Sequence, residues 1–410
     1  MRKPGCVLVP KELARALICA LAVVLTGPVL GEERTSYTAV EAETAEIPGM
    51  PNARFWADAP AQLIRSFWQH QALQARQSGS AENGNALTWL ALSGGGENGA
   101  FGAAVLNAWT ALGTRPSFTV VSGVSTGALM SPFAFLGPHY DEALRAIYTD
   151  VTSADILTRR SWIGAYFGPS FADNTPMRAL VARYITPELL AEIADEHRKG
   201  RRLLVLTTNL DAQRAVIWDM GAIAASGSSS ALRLFQDVLI ASGSVPGLFP
   251  PVFIEVEANG RRFQEMHVDG GAITQFYAAP AAALLHEGPG RAGTQARLFV
   301  LMNMKLDADF HVVEDRTLAI FARSLLTVMK ARARGTIRQA YEVARNAGAD
   351  FNLAYIRGDF GLPERHVIDQ DYMRRLYAYA SARTASGDLW MKEPPAFYEF
   401  SERHDPGERR

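Results

Sequence analysis

Short apolar runs alternate with segments of helical spacing along the middle of the chain. Residues 87–92 (LTWLAL) and 203–209 (LLVLTTN) are compact apolar runs of the kind that form buried strands. Further strands are predicted at FTVV (118–121), VFIEVE (252–257), FQEMHV (263–268) and LFVLM (298–302). Because helical patterns lie between most of these runs, the sequence predicts a three-layer α/β domain with a mostly parallel central sheet and helices on both faces.

Helical spacing also marks the segments on either side of this domain. The run Ala61 to Gln77 predicts one amphipathic helix within an otherwise polar, proline-punctuated stretch. Later, Glu314 to Gly348 predicts one long helix or two in series, and about Asp369 to Arg383 predicts another. We therefore divide the chain into a leader (1–31), an N-terminal extension (32–86), a main domain (87–305), a helical C-terminal extension (306–383) and a disordered tail (384–410).

The leader has the pattern of a secretory signal peptide. Basic residues precede an apolar run, Ala16 to Leu30, that is too short to span a membrane readily, and small residues allow cleavage after Gly31. We expect an exported protein, with an uncleaved N-terminal anchor as the alternative. Both cysteines, Cys6 and Cys19, lie in this segment, so disulfides, thiol catalysis and Cys-ligated metals are excluded from the mature chain.

The charge balance argues against nucleic acid as a partner. The chain has 41 Lys and Arg residues against 42 Asp and Glu, and its formal net charge is −1. Because it also lacks a long basic block, the electrostatic footprint of a nucleic-acid-binding protein is missing.

A glycine-rich loop follows the first predicted strand. Gly94, Gly95 and Gly96 are consecutive, and Gly99 opens a helix of small residues. Glycines permit positive φ, so the N–H groups of such a loop can converge on one anionic atom, either a phosphate or an oxyanion. The loop is not the phosphate loop of a nucleotidase, because no Gly-Lys-Ser/Thr follows at the required spacing.

The second predicted strand runs into a G-x-S-x-G motif. Gly123 and Gly127 bracket Ser125, which would sit at the apex of a sharp strand-to-helix turn and be presented to a substrate. The helix N-terminus beyond it offers N–H groups to an anion. An ordinary turn rich in small residues would show the same short pattern, so the motif alone leaves both interpretations open.

Taken together, residues 87 to about 303 resemble the patatin-like phospholipase family. The resemblance rests on four motifs in the family's order: the glycine loop, the G-x-S-x-G elbow, the loop ASGSVPGLFPP (241–251), and Asp269-Gly270-Gly271. It implies a patatin-like fold and a lipid acyl hydrolase with Ser125 as nucleophile and Asp269 as base. Under the same resemblance, Gly94, Gly95 and Gly96 form the oxyanion hole, and the remaining motif glycines support the loops.

One position departs from the family pattern. The family usually has Arg or Lys near the end of its glycine loop, whereas this chain has Asn98 between Glu97 and Gly99. The change removes a positive charge next to the oxyanion hole and leaves the head-group preference open.

The implied partners are a phospholipid or another lipid ester, without a metal or an organic cofactor, and the oligomeric state is not predicted. Peripheral membrane contact through Phe67 and Trp68 is an alternative to their packing. Two rival functions also remain: a triad esterase with His267 as base, since alternation puts it on the same strand face as Asp269, and a catalytically inactive lipid-binding envelope protein.

Overall fold

The computed structural model describes residues 34–79, 87–159, 170–278, 296–308, 310, 312–362 and 368–395. The chain divides into two units, Met1–Tyr37 and Thr38–Arg410. In the first unit only residues 34–37 are described, and they form neither helix nor strand. The predicted signal peptide and both cysteines lie outside the described residues, so that prediction stands untested.

The second unit contains the helices and strands discussed below. The helices are α1 Ala39–Thr44, α2 Ala61–Gln77, α3 Gly99–Ala111, α4 Thr126–Leu136, α5 Asp141–Thr149, α6 Ser153–Ile156, α7 Thr175–Tyr184, α8 Pro187–Arg198, α9 Met220–Ala225, α10 Ala231–Gly243, α11 Thr317–Asn346 and α12 Gln370–Ala385. The strands are β1 Arg54–Trp56, β2 Thr88–Leu92, β3 Val120–Val124, β4 Thr158–Arg159, β5 Ala172–Asp173, β6 Arg202–Asn209, β7 Arg214–Asp219, β8 Val252–Ala258, β9 Arg261–Asp269, β10 Arg297–Lys305 and β11 Asp350–Ile356.

The main sheet has nine strands among the described residues, in the order β1-β7-β6-β3-β2-β10-β11, and the β8–β9 hairpin joins it through β6. The five neighbouring strands β6, β3, β2, β10 and β11 run parallel to one another. Both β2 and β3 therefore end at the same edge, where the glycine loop and Ser125 follow them. Strand β9 runs antiparallel to β6 and pairs Asp269 with Thr207, which brings Asp269 to that edge as well.

Helices cover both faces of the sheet. Leu298 and Val300 of β10 face a cluster that includes Trp68 of α2 and Ala333 of α11. Phe299, which lies between them and points the other way, packs edge-on against Trp109 of α3. The three-layer α/β fold predicted from the sequence is thus confirmed. Among the described residues, no helix is long and apolar enough to cross a bilayer.

The structure differs from the predicted organisation at both ends of the main domain. Strand β1 comes from the N-terminal extension and pairs antiparallel with β7. The segment after 305, expected to be helical, contributes β11, which extends the parallel sheet beside β10. Residues 350–356 form a buried strand between two helices, and their short apolar run was hidden by the longer helical patterns on either side.

The prediction of a disordered tail from residue 384 onward is wrong for residues 384–395. Helix α12 continues to Ala385, Trp390 packs against Trp109 with ring centroids 4.9 Å apart, and Met391 pairs with Leu353 of β11. Contacts with the sheet and with α3 hold these residues in place. Such long-range contacts have no local signature in the sequence. Residues 396–410 lie outside the described part of the chain.

Candidate active site

Ser125 occupies a strained backbone position between β3 and α4. Its φ is 56° and its ψ is −125°, a region that residues with a side chain rarely adopt. Strand and helix approach so closely here that a Cβ at Gly123 would overlap the backbone of Gly127, and one at Gly127 would overlap that of Leu92. The two glycines of the motif are therefore a steric requirement of the turn, which holds the Ser125 hydroxyl toward a cavity.

A short hydrogen bond joins Ser125 to Asp269. The Ser125 Oγ donates to Asp269 Oδ2 at 2.6 Å, and both residues are buried. The other carboxylate oxygen, Oδ1, accepts the Gly271 N–H at 2.6 Å. The serine and aspartate predicted separately from two motifs, 144 positions apart, are thus in direct contact with fixed orientation.

The backbone on either side of this pair is also fixed. The Ser125 N–H donates to Ser242 Oγ at 3.0 Å, and the Ser242 hydroxyl donates to the Leu206 carbonyl at 2.7 Å. The Asp269 N–H donates to the Ser244 carbonyl at 2.9 Å. Ser242 and Ser244, at the C-terminal end of α10 where the ASGSVPGLFPP segment begins, therefore hold both members of the pair.

Burial determines the electrostatics of Asp269. Removal from water disfavours the charged carboxylate and raises the pKa of Asp269 from its ordinary 3.8 to about 6, although the hydrogen bonds from Ser125 and Gly271 act in the opposite direction. A carboxylate with a pKa near 6 is a stronger base than an exposed one and is still mostly ionised at pH 7.

The three loop glycines are not equivalent. The Gly94 N–H donates to the Gln275 carbonyl at 3.0 Å, so it is already engaged within the protein. Gly95 and Gly96 have φ of 156° and 57°, and both line the same cavity as Ser125. A Cβ at Gly95 would overlap the Asn303 carbonyl, so this position tolerates only glycine.

Asn303, a residue that the sequence analysis did not single out, holds the glycine loop from β10. Its backbone N–H donates to Ser93 Oγ at 2.8 Å and its Nδ2 to the Ser93 carbonyl at 2.9 Å. Its Oδ1 accepts the N–H of Gly102 in α3 at 3.0 Å. The sequence did offer one signal for this role, an asparagine directly after the apolar run 298–302. Asn303 is fully buried, and a buried amide must find hydrogen-bond partners.

The motif-supporting glycines around these loops also lie at close contacts. A Cβ at Gly99 would overlap Tyr148, and one at Gly270 would overlap Leu206. Gly271 acts through its N–H on Asp269, as described above. Each supports the loops by sterics or by a backbone hydrogen bond.

His267 is turned into a separate buried cluster. Its Nδ1 lies 2.9 Å from Thr207 Oγ1 and its Nε2 lies 3.1 Å from Glu265 Oε2. The ring also stacks edge-on against Trp218, with centroids 5.4 Å apart. Both ring nitrogens are engaged there, whereas the Ser125 hydroxyl donates to Asp269.

The C-terminal extension contacts the glycine loop directly. Glu97 Oε2 accepts the backbone N–H of Asp369 at 2.9 Å, and the Tyr372 hydroxyl donates to Asn98 Oδ1 at 2.6 Å. Asn98, which the sequence analysis noted for its missing positive charge, thus has a hydrogen-bond partner from α12. This contact joins residues 274 positions apart and had no signal in the sequence.

A cavity of about 1860 Å³ opens beside Ser125. Apolar side chains from α4, α7 and α10 and the loop after α10 form much of its wall, among them Leu129, Phe133, Val181, Leu239 and Phe249. The polar residues Glu97, Asp369 and Gln370 also line the cavity. Within the described residues, no three His, Cys, Asp or Glu side chains come together as metal ligands would.

The fold and the site define an α/β protein with a serine–aspartate pair and a glycine loop at the carboxyl edge of a parallel sheet. Residues 90–283 match the model of the Patatin family, described as patatin-like phospholipase. This segment contains Ser125, Asp269 and the glycine loop. At this general level the match supports a lipid acyl hydrolase.

Among solved structures, the crystal structure of VipD from Legionella pneumophila is similar over 74% of this chain and 67% of that chain, with 12% sequence identity and a TM-score of 0.37. None of the curated proteins matches the sequence significantly.

Proposed function

We propose that this protein hydrolyses carboxylic esters of lipids through a serine–aspartate dyad. The observation that carries the proposal is the 2.6 Å hydrogen bond from Ser125 Oγ to Asp269 Oδ2, made at a strained turn that faces a large apolar cavity. Nucleophile and base within hydrogen-bond reach are the minimum that acyl transfer through a serine ester requires.

The reaction would proceed in two steps. In the first, Ser125 Oγ attacks the acyl carbon while its proton passes to Asp269, and that proton then leaves with the departing alcohol. In the second, a water molecule gives a proton to Asp269 and attacks the serine ester, which releases the carboxylic acid and restores the Ser125 hydroxyl. No redox equivalent or metal ion enters this balance.

The negative oxygen of each tetrahedral intermediate needs donors beside Ser125. Gly95 and Gly96 lie in the cavity wall at this point, whereas the Gly94 N–H donates to Gln275. We therefore assign the oxyanion contacts to the N–H groups of Gly95 and Gly96 and give Gly94 a positioning role. Donors held in place before the reaction stabilise the developing charge most effectively.

The cavity suggests the substrate class. Its wall near Ser125 includes Leu129 and Phe133 of α4, and its volume of about 1860 Å³ exceeds that of typical small-molecule sites. A long acyl chain fits such an apolar space because its burial is favourable by about 0.8 kcal/mol per methylene group. A phospholipid or a neutral lipid ester satisfies this description.

A fluorophosphonate probe together with a panel of defined phospholipids tests the proposal. We expect the probe to form an adduct on the peptide that contains Ser125, and we expect free fatty acid to appear from at least one phospholipid. Ser125→Ala should abolish both results. Ser153→Ala is the matched control, because Ser153 lines the same cavity but is not on the elbow, and it should retain labelling and turnover.

Two results would contradict the proposal. Absence of labelling in a chain with native circular dichroism would favour an inactive lipid-binding protein. Labelling at a residue other than Ser125 would show a different nucleophile.

We also propose that the protein is exported after cleavage near Gly31, on the leader pattern alone. Mass analysis of the N-terminus in a native host tests this proposal, and a chain that still begins at Met1 in the cytoplasm would contradict it.

A further inference from the structure

Helix α11 has two halves with different environments. In the C-terminal half, Ala333, Ile337, Ala340 and Ala344 are buried against the sheet. In the N-terminal half, from Thr317 to about Met329, most described side chains are exposed. Only the second half is thus accounted for by packing within the fold.

The exposed half projects beyond the edge of the sheet that carries Ser125. Strand β10 ends at Lys305 on that edge, and α11 passes this level at residues 330–334. There Lys330 Nζ donates to the Asp307 carbonyl at 3.2 Å, and Arg334 Nε donates to the Leu306 carbonyl at 2.8 Å. Because a helix rises about 1.5 Å per residue, residues 317–329 form about 20 Å of helix that precedes these contacts.

This projecting half bears an apolar stripe. Phe321, Leu325 and Val328 are spaced four and three residues apart on one face, and their exposed fractions are 65%, 43% and 55%. At about 100° per residue, Phe321, Leu325 and Val328 lie about 120°, 80° and 140° from the buried Ala333 around the helix axis, so the stripe is turned away from the packed face. The stripe therefore cannot be a continuation of the contact with the sheet.

Positive charge accompanies the stripe. From Thr317 to Tyr341 the helix has no acidic residue and five basic ones: Arg323, Lys330, Arg332, Arg334 and Arg338. The whole chain has a formal net charge of −1, so this concentration of positive charge is local. An exposed apolar face with basic residues nearby is complementary to an anionic lipid surface, whereas a protein partner would not require this excess of cations.

We propose that the N-terminal half of α11, residues 317–329, docks the protein on an anionic phospholipid bilayer with the help of the basic residues that follow it. Phe321, Leu325 and Val328 would enter the interface between head groups and acyl chains, while Arg332 and Arg338 would lie near lipid phosphates. Docking through this arm would bring the sheet edge that carries Ser125 toward the bilayer, the source of the substrate in the proposed function.

Sedimentation with vesicles tests this inference without depending on turnover. The full chain carrying Ser125→Ala is mixed with vesicles of phosphatidylcholine alone or of phosphatidylcholine with phosphatidylglycerol. We expect binding to the mixed vesicles, and we expect Phe321→Ser/Leu325→Ser/Val328→Ser to weaken it about tenfold or more. Val40→Ser/Leu63→Ser/Leu73→Ser removes three apolar side chains elsewhere that are at least half exposed, and it should bind like the parent.

The charge contribution is tested by Arg332→Glu/Arg338→Glu, which replaces two exposed basic residues. This variant should lose the preference for phosphatidylglycerol, because each basic residue near an anionic surface contributes about fivefold to binding. Unchanged preference would remove the electrostatic part of the proposal.

A fluorescent label localises the contact and separates it from any binding by the apolar leader. In a Cys6→Ser/Cys19→Ser background, an environment-sensitive dye on Val328→Cys should shift to the blue with mixed vesicles, while the same dye on Leu63→Cys should not. An unshifted dye at 328 on vesicle-bound protein would overturn the inference. So would equal binding of the two triple variants, or a wild-type dimer in light scattering that the stripe variant converts to a monomer.

The proposed function can fail separately. With Ser125 intact, the stripe variant should still hydrolyse a soluble short-chain ester but lose turnover of vesicle lipid. If no variant hydrolyses any ester, the proposed function fails while the sedimentation and dye results still decide the docking surface.

Discussion

Two carboxylates on the same strand, four residues apart, have opposite electrostatic properties. Asp269, at the end of β9, accepts hydrogen bonds from a neutral hydroxyl and a backbone amide, and burial raises its pKa to about 6. Glu265 is buried too, which by itself would raise its pKa. The hydrogen bonds from His267 and Arg54 outweigh burial, and the pKa of Glu265 is held at about 2.

The difference lies in the partners. Arg54 pairs with Glu265 and supplies a full positive charge, whereas among the described residues no cation pairs with Asp269. A permanently ionised, paired carboxylate cannot take up a proton near neutral pH, so Glu265 is suited to a structural role. A carboxylate whose pKa is raised to about 6 and that faces a hydroxyl is suited to act as a base.

The largest expected effect is on turnover at Asp269. Asp269→Asn keeps the size of the side chain but removes the proton acceptor, so we expect ester turnover to fall on the order of 10³–10⁴-fold. Steady-state kinetics of the purified variant measures this loss. Activity within an order of magnitude of wild type would eliminate Asp269 as the base.

The second effect concerns stability at Glu265. Glu265→Gln leaves the buried Arg54 guanidinium without its counter-charge, so we expect the free energy of unfolding to fall by about 3 kcal/mol, while turnover of the folded protein stays near that of wild type. Urea denaturation and kinetics on the same sample measure both quantities. Large losses of turnover without loss of stability would reverse the roles of the two carboxylates.

The third prediction compares the two residues by pH. The folded pKa of Asp269 is raised, so its contribution to stability is fully present below pH 3.8 and is lost as the pH rises through about 6. Asp269→Asn should therefore be more stable than wild type at pH 8, by about 3 kcal/mol, and the advantage should vanish near pH 4. The folded pKa of Glu265 is depressed, so its contribution is present above pH 4.5 and is lost as the pH falls toward 2.

The same protonation governs turnover. Below about pH 6, kcat/KM should fall tenfold per pH unit as Asp269 takes up a proton. Denaturation midpoints and kinetic profiles over this range check both statements. A pH-independent difference between Asp269→Asn and wild type would show that this carboxylate is not the titrating group.

The fourth prediction separates His267 from the reaction. His267→Gln can keep hydrogen bonds to Thr207 and Glu265, so we expect most of the ester turnover to remain, with stability lowered by about 1–2 kcal/mol through lost packing on Trp218. Kinetics beside circular dichroism tests this. If the folded variant were as inactive as Ser125→Ala, a histidine-based mechanism would replace the dyad.

The smallest effect is expected at the contact between α12 and the glycine loop. Tyr372→Phe removes the hydroxyl that donates to Asn98, and we expect turnover to fall about fivefold, equivalent to a hydrogen bond of about 1 kcal/mol. Tyr379→Phe is the matched control, since it removes a hydrogen bond to Asp359 from the same helix. Equal effects of the two variants on kcat would show that α12 acts on stability alone.

Local features of the sequence determined the strand–turn–helix units and the chemistry at their ends. A turn as sharp as that at Ser125 demands small residues at Gly123 and Gly127, and this demand is met within five consecutive positions. The same holds for the glycine loop after β2 and for Asp269-Gly270-Gly271. Apolar runs and helical spacing are likewise local, which is why the α/β class was predicted correctly.

Tertiary structure alone decided which of these local units meet. Asp269 and His267 lie on the same strand and, from their alternation, on the same face. Only the position of β3 puts Ser125 beside the aspartate, while Thr207 and Glu265 engage the ring nitrogens of the histidine. The engagement of Gly94 by Gln275, the support from Asn303 and the contact of Tyr372 with Asn98 are also long-range. Each depends on the order and register of strands and on the path of the chain after β11, which are settled by the joint burial of many side chains and leave no mark at any single position.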